Sequence, residues 1–140
     1  MSLRTRYILI TAVLVGIFAG LTYVIFIMDR SASLSEETHI DLEELLSKKK
    51  PVLLEFGKGW CSPCKYMKPI LEKTSRAFEG KAVVATVDMD VNMHLVRQFS
   101  IRVMPTQIFL WPNGTEFFRN EGVLELEQIV LIFGKMGLTP

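Results

Sequence analysis

The chain has only two cysteines and two histidines among its 140 residues. Two cysteines cannot build a disulfide-dense scaffold. A zinc site would have to draw on Cys61, Cys64, His39 and His94, and neither histidine stands at finger-like spacing from the cysteines, so no metal ion is expected. Charge of one sign is also missing. Sixteen Lys+Arg face 15 Asp+Glu, for a net charge of +1, which leaves no basic field for nucleic acid. Repeats and low-complexity tracts are absent. The charged fraction of 22% and the hydrophobic fraction of 49% exclude a disordered chain.

Apolar residues are plentiful, with a mean hydropathy of +0.29, and they concentrate at one end. Tyr7–Met28 is a run of 22 residues without a charge. As a helix it would measure about 33 Å, against a hydrocarbon core of ~30 Å. The expectation is therefore one N-terminal transmembrane helix acting as a signal-anchor. A signal peptide's apolar region is ordinarily ~7–15 residues; the small-x-small site Ser31-Ala32-Ser33 keeps cleavage open as the alternative. No cysteine directly follows the run, which excludes a lipid-modified anchor there. Arg4 and Arg6 precede the span, whereas Arg30 alone follows closely, beside Asp29 and ahead of Glu36 and Glu37. This bias places the N-terminus in the cytoplasm and the rest outside, on the periplasmic side of the inner membrane if the cell is bacterial. Ala12, Gly16 and Gly20 recur every four residues, a small-residue face that would suit weak helix dimerisation, although Gly and Ala are common in membrane helices generally.

Three segments follow from this reading: 1–28 as cytoplasmic stub and anchor, 29–40 as linker, and 41–140 as one globular domain. The linker is polar and, as flexible coil, would span roughly 20 Å, keeping the domain close to the membrane. Residues 29–140 carry 14 basic and 15 acidic side chains, so nothing draws them flat onto an anionic surface. Asp41, with Glu44 three residues on, marks a helix start, and Leu42, Leu45 and Leu46 form its stripe. Lys48, Lys49 and Lys50 would close its last turn before Pro51. Val52–Phe56, Ala82–Val87 and Thr106–Trp111 read as buried strands. Between the first two lies a helical pattern over Ser62–Phe78, with Met67, Ile70, Leu71, Thr74 and Phe78 inward and Pro69 expected to kink it. A shorter helix over Asn92–Phe99 would be capped by Asp90. Asn113-Gly114-Thr115 matches a glycosylation sequon but reads as a turn into a fourth strand, Thr115–Arg119. A last helix covers Leu124–Met136, with Leu126, Ile129, Val130 and Phe133 inward. The order α, βαβ, α, ββα implies an α/β fold with a central mixed sheet flanked by helices.

Both cysteines fall in Trp60-Cys61-Ser62-Pro63-Cys64-Lys65, directly after a strand and at the opening of a helix. Residues three apart at a helix start share a face, so the two sulfurs can close a disulfide. Cys61 sits where free N–H groups and the positive dipole end favour a thiolate, the form that attacks disulfides. Cys64, a turn deeper, is expected to be less accessible, and Pro63 fits the first turn. A structural disulfide is the bland alternative, but a loop this short would constrain the unfolded chain little.

With these residues in view the sequence resembles the thioredoxin family over roughly residues 41–138. Val52-Leu53-Leu54-Glu55-Phe56 resembles the strand before that family's active site, Trp60 to Lys65 its Trp-Cys-Gly-Pro-Cys-Lys motif, and Val103-Met104-Pro105-Thr106 its cis-proline loop, 40 residues beyond Cys64. The resemblance implies a thioredoxin-like fold, a redox-active Cys61–Cys64 disulfide, and a cis peptide before Pro105 packed against the cysteines. It further implies that substrate backbone pairs beside Met104, Pro105 and Thr106. Pro63 and Trp60 would face substrate, Trp60 having mere packing as its alternative, and Gly122 resembles the glycine that lets backbone approach the site. Glu55 stands where many relatives carry a buried aspartate, and Thr86 where a lysine often accompanies it. A lone carboxylate in an apolar strand should have a raised pKa and could take the proton of Cys64; an edge position would make it merely a surface group. His94 reads as a surface helix residue, and Met67, Met89 and Met93 as packing.

The resulting expectation is a membrane-tethered, extracytoplasmic thiol–disulfide oxidoreductase serving cell redox homeostasis, with no cofactor. It would reduce disulfides of protein substrates, Cys61 attacking and Cys64 resolving. In an oxidising compartment such a reductase needs a membrane-embedded thiol electron donor, of the kind the resemblance associates with cytochrome c biogenesis. Two alternatives stay open: a disulfide oxidase or isomerase on the same fold, and a thioredoxin-like binding module without turnover.

Overall fold

The computed structural model describes Arg4, residues 13–24 and residues 39–140. Contacts divide the chain into two units, Met1–Glu36 and Glu37–Pro140. In the first, residues 13–24 are helical (α1) and exposed, with Thr22 Oγ1 donating back to the carbonyls of Phe18 and Ala19. Among the described residues no helix is long and apolar enough to cross a membrane. The remainder of the expected span, 7–12 and 25–28, and the linker up to residue 38 lie outside the described residues, as does Ala12. Among the described residues, a Cβ on Gly16 or Gly20 would meet no group within 4 Å outside the helix's own backbone.

The second unit is built as α2 (Leu42–Ser47), β1 (Val52–Gly57), α3 (Ser62–Ala77), β2 (Val83–Asp88), α4 (Met93–Gln98), β3 (Thr106–Leu110), β4 (Glu116–Glu121) and α5 (Leu126–Lys135). The four strands form one mixed sheet in the order β2-β1-β3-β4, with β1 and β2 parallel and the other pairs antiparallel. The element types follow the sequence reading, with edges displaced. α2 begins as expected, Asp41 Oδ1 accepting from the N–H groups of Glu43 (2.9 Å) and Glu44 (3.4 Å). It stops at Ser47, so the three lysines lie beyond its last turn, with Lys49 at φ 53°. The N-cap of α4 is Asn92, not Asp90, which lies in the preceding turn, where Asp88 accepts from Asp90 N through Oδ1 and from Asn92 N through its carbonyl. Asn113-Gly114 forms the turn into β4, Gly114 at φ +82° and Asn113 Oδ1 accepting from Thr115 N at 3.0 Å.

Burial follows strand position. β1 and β3 are buried along their whole length, as interior strands of the sheet should be. β2 is only half-buried, contrary to its expected burial, because it is an edge. On one face Leu53 and Phe109 meet Met67, Ile70, Leu71 and Phe78 of the α3 segment and Ile129, Ile132 and Phe133 of α5. On the other, Val52, Leu54, Phe56, Val87, Ile108 and Leu110 meet Leu42 of α2, Leu95 of α4, and Phe99 and Ile101 beyond it. Helices therefore cover both faces. Ile129 and Phe133 are buried as expected and Leu126 and Val130 pack against the same cluster partly buried, while Ile132 joins the buried stripe of α5 in addition. Met67 is buried and Met89 packs against the second cluster, but Met93 is exposed, having no core above the first turn of α4.

Phe133 anchors the first cluster, its ring centroid 4.6 Å from that of Phe78 and 5.2 Å from that of Phe109. Phe133→Ala is expected to cost about 3–5 kcal/mol in urea unfolding. Leu131→Ala, two positions away on the exposed side of the same helix, should change stability by no more than about 0.5 kcal/mol.

Candidate functional site

Strand β1 delivers the chain to the top of the sheet, and a four-residue connection turns it into α3. The first residue before that helix, Cys61, is its N-cap in extended conformation, and its Sγ accepts from the N–H of Cys64 at 3.2 Å. Pro63 falls in the first turn, where a missing N–H removes no helical bond. Cys61 and Cys64 are joined as a disulfide, with Cα atoms 5.3 Å apart. In the dithiol form the same N-cap geometry presents a donor and the helix dipole to Cys61, which favours its thiolate. Both cysteines are buried, Cys61 at 5% and Cys64 at 9% exposure, so Cys64 is not the less accessible of the two in the disulfide. The difference between them is what each sulfur faces, the helix end for Cys61 and the interior of the sheet for Cys64.

Beneath Cys64 lies Glu55. Its side chain is 1% exposed in the middle of β1, which rules out the surface reading of this carboxylate. Burial pushes its pKa up from 4.5 to about 7. Desolvation alone drives this, and Thr86, its β2 partner, supplies no cation. Glu55 and Cys64 approach each other across a glycine. A Cβ on Gly57 would stand 2.9 Å from Glu55 Oε1 and 3.1 Å from both Cβ and Sγ of Cys64. Glu55 and Gly57 share one face of β1, two residues apart, so the missing side chain at 57 is the space in which carboxyl and sulfur approach each other.

The Met104–Pro105 peptide is cis, with Pro105 buried, Met104 half-buried and Val103 exposed. Thr106 is buried and its Oγ1 donates to Val103 O at 2.7 Å, closing the loop. Gly122 N donates to Pro105 O at 2.7 Å. Gly122 is required by its backbone, at φ +101°; a Cβ there would meet open space, so the close approach expected of it is not sterically limiting. Trp60 does not pack into a core. It is 66% exposed, with Lys58 Nζ 5.6 Å from its ring centroid. His94 is exposed on α4 and stacks on His39, ring centroids 4.6 Å apart, in a cluster separate from the cysteines. Among the described residues no group of His, Cys, Asp and Glu could hold a metal ion.

Sequence reasoning did not single out Gly57 or a second buried polar residue, Gln107. Gln107 is fully buried on β3, directly paired with Glu55. A signal for both was present: a glycine two places after a lone carboxylate in one buried strand, and a lone amide in the next.

Comparison with known proteins bears on this geometry. The sequence model of the family described as Thioredoxin matches residues 33–133. The chain is 35% identical over 96 residues to the chloroplastic thioredoxin Y of Oryza sativa subsp. japonica, covering 68% of this chain and 56% of that protein. It is 38% identical over 74 residues to a thioredoxin of Rickettsia bellii, covering 53% and 70%. Among solved structures, the germline-specific thioredoxin protein Deadhead of Drosophila melanogaster superposes with a TM-score of 0.61 at 26% identity, over 67% of this chain and 89% of that one.

Two outcomes follow from the Glu55 pocket. At low pH the carboxyl is neutral whether the chain is folded or not; as pH rises from 4.5 towards 7 the unfolded chain ionises first, so stability is lost over that window. Glu55→Gln should therefore be more stable than the parent by about 2–3 kcal/mol in urea titrations at pH 8 and close to it at pH 4; a difference independent of pH would contradict the assignment. Gly57→Ala should displace the carboxyl or Cys64 and cost about 1–3 kcal/mol, where an exposed glycine with open surroundings such as Gly59 should tolerate alanine.

Proposed function

The chain belongs to the thioredoxin family, and we propose that it exchanges electron pairs with disulfides of other proteins through Cys61 and Cys64. The observation that carries this reading is the Cys61–Cys64 disulfide at the head of α3, with the buried Glu55 carboxyl against Cys64. In the dithiol form the Cys61 thiolate attacks one sulfur of a substrate disulfide. A mixed disulfide forms and the other substrate sulfur leaves as a thiolate. The Cys64 thiol then passes its proton to the Glu55 carboxylate. The resulting thiolate attacks Cys61 Sγ, closing the Cys61–Cys64 disulfide and releasing the second substrate sulfur. The substrate gains two electrons, the enzyme dithiol loses two, and Glu55 returns the proton to solvent or to the departing thiolate. The exposed Trp60, beside Cys61 in sequence, and the exposed Val103 of the cis-Pro105 loop supply apolar surface and backbone for an extended substrate segment.

The reading extends to location. The charge-free run Tyr7–Met28, with Arg4 and Arg6 before it, supports a membrane tether with the thioredoxin-like unit on the extracytoplasmic side. There the substrates are oxidised cysteines of exported proteins, haem-attachment cysteines being one such class, and the electrons come from a membrane-embedded dithiol.

The test is covalent trapping with the full-length chain. Cys64→Ser should accumulate mixed disulfides with exported proteins in the membrane fraction, released by dithiothreitol, and Cys61→Ser should accumulate none. Adducts confined to cytosolic proteins would overturn the location; equal trapping by both variants would overturn the division of labour between the sulfurs.

A further inference from the structure

Among the described residues, two buried polar atoms on one face of the sheet have no hydrogen-bond partner and are not bonded to each other, Glu55 Oε1 and Gln107 Nε2. Their residues are directly paired across β1 and β3. Directly opposed residues of an antiparallel pair point to the same face, with Cβ atoms ~4.5–5.5 Å apart. The two groups are complementary: an ionised carboxylate only accepts hydrogen bonds, and an amide –NH2 only donates them. Each unpartnered buried group carries a cost that an apolar pair of the same size would avoid.

The row continues to β4, where Asn120 pairs with Gln107. Asn120 Nδ2 donates to Gln107 Oε1 at 2.7 Å and to Gly122 O at 3.1 Å. This contact sets the sense of both amides. The carbonyl of Gly122 can only accept, so Asn120 must present its –NH2. Gln107 must then present its oxygen to Asn120, which leaves its own –NH2 for the neighbour on the other side of the row. Gly122 is in turn bound through its N–H to Pro105 O in the cis-proline loop. A directional row of polar groups thus runs from that loop through Asn120 to Gln107, which stands opposite the Glu55 carboxyl with its –NH2 unpartnered.

We infer that Gln107 is a positioning residue for Glu55: held by Asn120 with its amide –NH2 turned along the row, it closes onto the carboxylate when Glu55 ionises, a hydrogen bond not formed in this structure, and so sets the pH at which that carboxylate can take the proton of Cys64. The inference rests on the reading of Glu55 as proton acceptor. No electrons pass through the amides and Gln107 keeps its hydrogens; the proton lost by Cys64 Sγ ends on Glu55. The groups facing Glu55 from each packed element allow this. From α3 the titratable neighbour is Cys64, the charged side chains of that helix being exposed or half-exposed. By register β2 offers Thr86 and, at its end, Asp88, whose Oδ1 already accepts from Asp90 N. Lys58, following β1, is paired with Asp90. On β4, Glu116, Arg119 and Glu121 fall on the opposite face by register. The buried stripe of α5 is apolar. Two neutral side-chain donors are thus paired directly with this carboxyl, Thr86 and Gln107; Thr86 is exposed, whereas Gln107 is fully buried with its –NH2 unpartnered.

The test is the rate at which reduced protein, having formed a mixed disulfide with Ellman's reagent at Cys61, releases the second thionitrobenzoate as Cys64 closes the ring. The parent should show an acidic limb set by Glu55, and Glu55→Gln should lack it. Gln107→Met, similar in size but without a donor, should move the limb up by about one pH unit, a roughly tenfold slower release at pH 6 with the rate at pH 9 within about twofold. Asn120→Leu should move it the same way by less. Infrared titration of the Glu55 carboxyl in the oxidised proteins gives the same comparison without turnover, and a melting temperature separates it from a merely structural role. If Glu55→Gln lacks the limb but both amide variants leave it in place, the inference about Gln107 is wrong and Glu55 keeps its role. If Glu55→Gln retains the limb, both are wrong.

Discussion

A carboxyl group buried against a cysteine sulfur, with a glycine clearing the space between them, is the constraint around which this site is organised. Burying Glu55 costs stability at neutral pH, since no cation offsets the charge. The same burial holds its pKa at about 7, where a group can both accept and return a proton. Gly57 turns that pKa into chemistry by letting Oε1 lie within reach of Cys64. A bulkier residue at 57 would separate the base from the sulfur it serves.

The rest of the unit supports that contact. β1 is an interior strand, flanked by parallel β2 and antiparallel β3, so a side chain in its middle is shielded from both faces and both edges. The connection after β1 places Cys61 at the N-cap of α3, and helical spacing brings Cys64 back over the strand. α3 is held down by Met67, Ile70 and Leu71 against Leu53 and Phe109, so the sulfurs ride on a helix fixed by the core. The cis-Pro105 loop joins the site through Gly122, whose positive φ admits glycine at low cost. Geometry of this kind distinguishes the two cysteines without a difference in access: one sulfur meets a helix end and the other a base.

Much of this was legible in the residue order. The Cys61-x-x-Cys64 spacing after an apolar strand, and Met104-Pro105-Thr106 beyond it, pointed to the sulfurs and their partner loop, because local spacing at a helix start decides which side chains share a face. Glu55 stood out as the one charge in an apolar run. Element edges were less legible: α2 stops before its lysines and α4 starts at Asn92, after a turn held by Asp88. The burial of β2 was overestimated because edge position is a property of strand order, which hydropathy does not carry.

What the sequence by itself determined is the chemistry available: two sulfurs at disulfide spacing, a lone carboxylate, the turn and cap residues that make the strands and helices, and the apolar N-terminal run. What only the tertiary structure decided is which of these groups meet. Glu55 reaches Cys64 because β1 is paired on both sides and Gly57 leaves a gap. Gln107 and Asn120 line up with it because antiparallel register places residues 52 positions apart for Glu55–Gln107, and 13 for Gln107–Asn120, directly opposite one another. The Asn113-Gly114 turn helps fix the β3–β4 register locally, but the β1–β3 register joins strands far apart in sequence and is fixed only when whole strands pack.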